Sequence, residues 1–88
     1  MNIDYQSLEE KVLDGTFRSE LEAELTVGFR AMKMSGDPLP TASHYASQIA
    51  EIVARGAPVP LQPAFAYELY QEILDACEHA RATVLGEV

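Results

Sequence analysis

Tryptophan is absent from this chain, cysteine occurs once, and Lys and Arg together number six against 14 Asp and Glu. Each scarcity excludes something. A lone thiol, Cys77, cannot close an intrachain disulfide, and the first 20 residues hold no apolar run of signal-peptide length, so a reducing cytoplasm is expected. No stretch approaches the roughly 18–20 apolar residues that span a bilayer, and a membrane is not expected as a partner. The shortage of bases leaves a formal net charge of −8. Such a field repels phosphate backbones and anionic lipid head groups, so direct nucleic-acid binding by counterion release is not expected either. Basic protein surfaces are the natural partners.

Phosphate-cradling loops are missing as well. Neither G-x-x-x-x-G-K-[ST] nor G-x-G-x-x-G occurs, and the glycines stand singly as helix terminators. No window alternates β-branched and polar residues for the length of a strand.

What remains is helical. A chain of 88 residues is expected to form one domain over 1–88, with a modest core that buries about 60–65% of the extended chain's surface. Its apolar content of 48% is ordinary for a globular protein, which argues for folding despite the charge. Asp4 or Ser7 can cap a first helix, with Ser7 and Glu10 at capping-box spacing. Tyr5, Leu8 and Val12 share one face of it, and Gly15 stops it. From Phe17, the residues Leu21, Leu25, Gly28, Phe29 and Met32 recur at helical spacing, and Ser19 with Glu22 offers a second capping box. Gly28 costs up to about 1 kcal/mol in a helix interior, and a close crossing by another helix is its expected compensation. Gly36, Pro38 and Pro40 break the chain. A third helix starts near Thr41 or Ser43, presents Tyr45, Ala46, Ile49, Ile52 and Val53, and ends at Gly56. Residues 57–63 carry too much proline for a helix and read as a stiff, extended connector. Pro63 suits the first position of the last and longest one, which runs to about Leu85 with Phe65 or Ala66, Leu69, Ile73, Ala76 or Cys77, Ala80 and Val84 along its stripe. The expected fold is all-α, a compact four-helix domain with short connections.

Gly36-Asp37-Pro38-Leu39 is similar in part to the G-x-D-S-L attachment motif of acyl carrier proteins, which are likewise small, acidic and helical. Pro38 stands where that family places serine, so no hydroxyl can accept a phosphopantetheine arm. A continuous helix from Phe17 to Met34 also replaces that family's long loop, and no family is assigned.

Candidate chemistry is sparse. Glu68, Glu72, Asp75 and His79 form one stripe of the last helix that could offer ligands to a divalent cation, but one imidazole with carboxylates is a poor zinc set, and a solvated outer face is the expected reading. Cys77 lies beside the apolar stripe with no neighbouring base to lower its pKa and reads as a buried small hydrophobe. His44, near a helix start, reads as an exposed polar residue. Nothing singles out a pair among the carboxylates for acid–base work. No catalysis, no cofactor and no metal are expected.

The informative residues lie on surfaces. Acids concentrate in residues 1–24, including Glu20, Glu22 and Glu24, and again in residues 68–78, including Glu68, Glu72 and Asp75. They either meet a basic groove on another protein or only maintain solubility. Tyr67, Tyr70 and Leu74 widen the apolar arc of the last helix, and either cover the ends of the bundle or form a self-association or partner surface. The leading expectation is a non-enzymatic protein-interaction module, a homodimer or small oligomer through its last helix, that docks on a basic or nucleic-acid-binding surface of a larger protein, as a small phage-type inhibitor would. The alternatives are a helical adaptor or assembly chaperone using Tyr67, Tyr70 and Leu74, and a metal-binding regulator using the Glu68 to His79 stripe.

Overall fold

The carboxylate of Asp4 organises the entry to the first helix by accepting the Gln6 amide (3.1 Å) and the Ser7 hydroxyl (2.9 Å). That use of Ser7 is why the Ser7–Glu10 capping box does not form: a short polar side chain satisfied locally is not free to cap. The computed structural model describes residues 3–87, which fold into α1 (Leu8–Asp14), α2 (Thr16–Met34), α3 (Ala42–Gly56) and α4 (Pro63–Gly86).

One residue, Gly15, separates α1 from α2, and its φ of 85° is the left-handed conformation that glycine adopts without a Cβ penalty. Asp14 Oδ1 accepts the Thr16 amide at 2.8 Å across this junction, and hydrogen bonding by Thr16, first through its side chain and then through its backbone, holds the Asp14 carboxyl below its ordinary value. Because α2 begins there, the Ser19 amide already bonds the Gly15 carbonyl (3.1 Å). The expected Ser19–Glu22 capping box is therefore interior helix. At the other end of α2 the Asp37 amide reaches the Met32 carbonyl and the Gly36 amide reaches that of Lys33, the paired bonds of a Schellman cap, with Gly36 left-handed at φ 79°. Thr41 caps α3 by accepting the His44 amide. Ala57 and Gln62, at the two ends of the connector, have extended backbone with ψ of 134° and 142°.

The longest helix is also the central one. Leu69, Ile73, Ala76, Cys77, Ala80 and Val84 are all buried along α4, and α1, α2 and α3 each pack against it while α2 and α3 make no backbone approach to each other. α2 lies alongside α4 in the same direction, pairing Arg18 with Glu72 near one end and Arg30 with Glu87 near the other. α3 runs the opposite way, and its entry is tied to the far part of α4 by the Arg81 Nε donating to the Pro40 carbonyl (2.9 Å). The row Phe17, Leu21, Leu25, Phe29 faces inward from α2, with Leu8 and Val12 from α1 and Ala46, Ile49 and Val53 from α3. Ile52, expected on the α3 core face, is exposed, because the α3 backbone approaches only that of α4 and the helix buries a narrower stripe.

The expected crossing at Gly28 is absent. Gly28 sits about 100° around the helix from Phe29, on the outside, and a Cβ built there meets nothing within 4 Å. The close approach falls at Gly56 instead, where a Cβ would lie 2.5 Å from the Tyr5 hydroxyl. That hydroxyl donates to the Val53 carbonyl at 2.7 Å, fastening the segment before α1 to the end of α3. The two glycines should therefore respond oppositely to alanine. Gly28→Ala is expected to raise the unfolding free energy by up to about 1 kcal/mol, and Gly56→Ala to lower it by about 1 kcal/mol through loss of the Tyr5 bond. Urea titration followed by circular dichroism measures both, and a stabilising Gly56→Ala would remove the Tyr5 contact from the account.

Candidate functional site

The six bases are mostly spent inside the fold. Arg30 grips the Glu87 carboxylate with two hydrogen bonds, Nε to Oε1 at 2.9 Å and a terminal nitrogen to Oε2 at 2.5 Å. This pairing holds the Glu87 carboxyl below its usual range and the guanidinium above its own. Lys33 Nζ donates to the carbonyls of Val84 (2.8 Å) and Glu87 (2.7 Å). The last turn of α4 contains no base of its own, so α2 supplies the cation that the negative end of that helix dipole favours. Arg18 faces Glu72 at 3.6 Å, Arg55 pairs with Glu51 one turn earlier on α3, and Arg81 holds Pro40. Lys11 lies in a small groove with Asp4, Glu20 and Glu24.

The carboxylates divide by face. Glu20 and Glu24, one helical turn apart, line the α1/α2 groove together, whereas Glu22 projects toward α4 with its Oε1 3.8 Å from His79 Nδ1. Two residues along a helix rotate the side chain by about 200°, so the three never share a surface. On α4, Glu72 and His79 stand at the α2 flank, Glu68 borders α1, and Asp75 is exposed. His79 Nδ1 lies 2.8 Å from the Asp75 carbonyl. A carbonyl can only accept, so Nδ1 carries the proton and the ring is turned back along its own helix. Among the described residues no three of His, Cys, Asp and Glu come together as ligands, since a stripe rising over 11 residues spreads its side chains across about 16 Å.

Tyr67, Tyr70 and Leu74 also separate. Tyr70 and Leu74 pack against the core, and Tyr67 is 67% exposed. Beside it stands a residue that the sequence reading passed over. Leu13, 68% exposed, follows Val12 and lies off the Leu8–Val12 row on the outer side of α1. It joins Tyr67, Glu68, Gln71 and Glu72 around a concavity of about 260 Å³ between the end of α1 and the beginning of α4. Leu13 also borders a second, open depression with Gln6, Glu9, Glu10 and Asp14. The signal for it was present: an apolar residue on the polar face of a short amphipathic helix.

Cys77 is fully buried, and burial with the nearby Glu78 charge pushes its thiol up to about 11. His79, two positions on, projects from a different side of α4. His44 is exposed on α3, with its Nε2 3.3 Å from the Gln48 side-chain nitrogen. No helix among the described residues is long and apolar enough to cross a membrane.

No protein-family model, no curated protein and no solved structure matches this chain.

Proposed function

We propose that this protein is a non-enzymatic interaction module that works in the cytoplasm by docking its carboxylate-rich surface onto a basic site of a larger protein. One observation carries the reading: five of the six bases bond to groups of this chain itself, while Glu9, Glu10, Glu20, Glu24, Glu68 and Asp75 have no ion pair among the described residues. The surplus charge thus stands where a partner can reach it, whereas Arg18, Arg30, Lys33 and Arg81 are held where they brace α2 and the entry of α3 against α4, and Arg55 pairs within α3. A groove built to bind nucleic acid on another protein presents the complementary field, and an inhibitor occupying such a groove is the concrete form of the proposal.

A second reading, an assembly adaptor that docks through apolar contact, is supported by the exposure of Tyr67 and Leu13. Salt distinguishes the two. Partners captured from the native host on immobilised protein are expected to be basic, to elute between about 0.05 and 0.5 M salt, as the Debye length shortens from about 14 to about 4 Å, and to be displaced by polyanions. Partners that resist this salt step and are lost with Tyr67→Ser would favour the adaptor. A captured set indifferent both to salt and to reversal of the carboxylates would end the electrostatic proposal.

A further inference from the structure

The exposed leucine and tyrosine do not stand among neutral neighbours. Leu13 and Tyr67 share one concavity, Glu68 and Glu72 lie on its α4 side, and Glu9, Glu10 and Asp14 line the depression on the other side of Leu13. Only Glu72 among these five carboxylates has an ion-pair partner among the described residues, and that partner is Arg18. An apolar centre inside a ring of one charge sign is a surface with a stated complement. A second copy of this chain is a poor occupant, because a two-fold interface sets each patch against itself and would bring two acidic rims together.

From this we infer that the face formed by the end of α1 and the beginning of α4 binds a Lys/Arg-rich amphipathic segment of a partner protein, with an apolar side chain of that segment seated between Leu13 and Tyr67 and its cations on the surrounding carboxylates. The inference rests on the proposed reading of the chain as an acidic docking module and adds to it the location and the chemistry of the docked element. Apolar contact fixes the position, and the rim charges exclude neutral and anionic helices. The Glu20/Glu24 groove on the α1/α2 side, which carries Lys11 in its lining, is not part of this site.

Two synthetic 14-residue peptides of equal charge test it, one with Leu and Lys at helical spacing and one in which every Leu is Ser, at about 0.15 M salt, where charges more than about 8 Å apart are largely screened. Amide shifts of the ¹⁵N-labelled protein locate binding, and anisotropy of the labelled peptide measures it. The Leu/Lys peptide is expected to bind at least tenfold more tightly than the Ser/Lys peptide and to perturb residues around Leu13 and Tyr67. Glu9→Lys with Glu68→Lys should weaken it at least tenfold, and Glu20→Lys with Glu24→Lys, which changes the net charge equally, by less than threefold. Shifts centred on Glu20 and Glu24, or equal binding of both peptides, would overturn the inference while leaving the docking proposal standing. Failure of every cationic probe, including polylysine, would remove both. Concentration-dependent shifts at Leu13 and Tyr67 in the protein alone would identify a second copy as the occupant and overturn the inference as well.

Discussion

Phe29→Ala is expected to remove about 3–5 kcal/mol of unfolding free energy, a large fraction of the roughly 4–13 kcal/mol that a domain of this size possesses. Phe29 is 1% exposed and is the largest fully buried side chain. Its ring meets that of Tyr45 edge to face, with centroids 5.3 Å apart and planes at 70°, the geometry in which the positive edge of one ring addresses the negative face of the other. The contact matters more than its area. The α2 and α3 backbones each approach α4 but not each other, so this aromatic pair joins two helices whose backbones stay apart. Deleting the ring leaves a cavity that fixed backbones cannot close, and the variant should be substantially unfolded at 37 °C. Urea unfolding by circular dichroism at about 10 °C, where a weakened protein is still measurable, gives the magnitude. A loss below about 1 kcal/mol would mean that the α2/α3 contact is not part of the stable core.

The second large effect is chemical. At pH 8 a disulfide reagent should modify Cys77 in the native protein at least about 1000-fold more slowly than in urea, because a side chain with no exposed surface reacts only from opened states. The thiolate is the reactive form, and burial first, then the Glu78 charge, raises the thiol to about 11 from an ordinary 9.0. The sign of the linkage follows from proton binding. The folded state holds the thiol proton more tightly than the unfolded state does, so this stabilisation is complete below pH 9.0 and is lost as pH rises through about 11. Phe29→Ala should accelerate labelling roughly 100-fold or more, the factor that 3 kcal/mol represents in an opening equilibrium. Rapid modification of the native wild type would place Cys77 outside the core and end both expectations.

Much of the fold was legible because its determinants are local. Gly15, Gly36 and the proline connector interrupt the chain where helical periodicity stops, Thr41 caps α3, and Pro63 opens α4, so each boundary followed from a few adjacent residues. The buried rows of α2 and α4 followed from a period of 3.6. The failures were local signals overridden by a neighbour. The Ser7 and Ser19 capping boxes had the right spacing, but Asp4 took the hydroxyl of the first and an earlier helix start absorbed the second. Gly28 looked like a packing glycine because half of its helix is apolar, yet the side it occupies faces outward.

The candidate site was legible only in part. Tyr67 and Glu68 were singled out, whereas Tyr70 and Leu74 proved to be inner neighbours of the core and Leu13 was passed over. Glu20, Glu22 and Glu24 counted as one cluster by proximity in the chain, and helix rotation divides them between two faces.

The amino-acid order alone determined the number of helices, their limits to within about three residues (Tyr5, expected on the first helix, precedes it), most of the rows that turn inward, and the net negative charge. These depend on backbone preferences and on repetition over a few residues, which any segment carries with it. Only the tertiary structure decided which carboxylates are neutralised and which apolar groups remain outside. Those outcomes depend on the direction and rotation of helices that meet through space: α2 lies parallel to α4, so Arg18 reaches Glu72 and Lys33 reaches the last carbonyls of α4. The same packing leaves Leu13 and Tyr67 side by side at the surface.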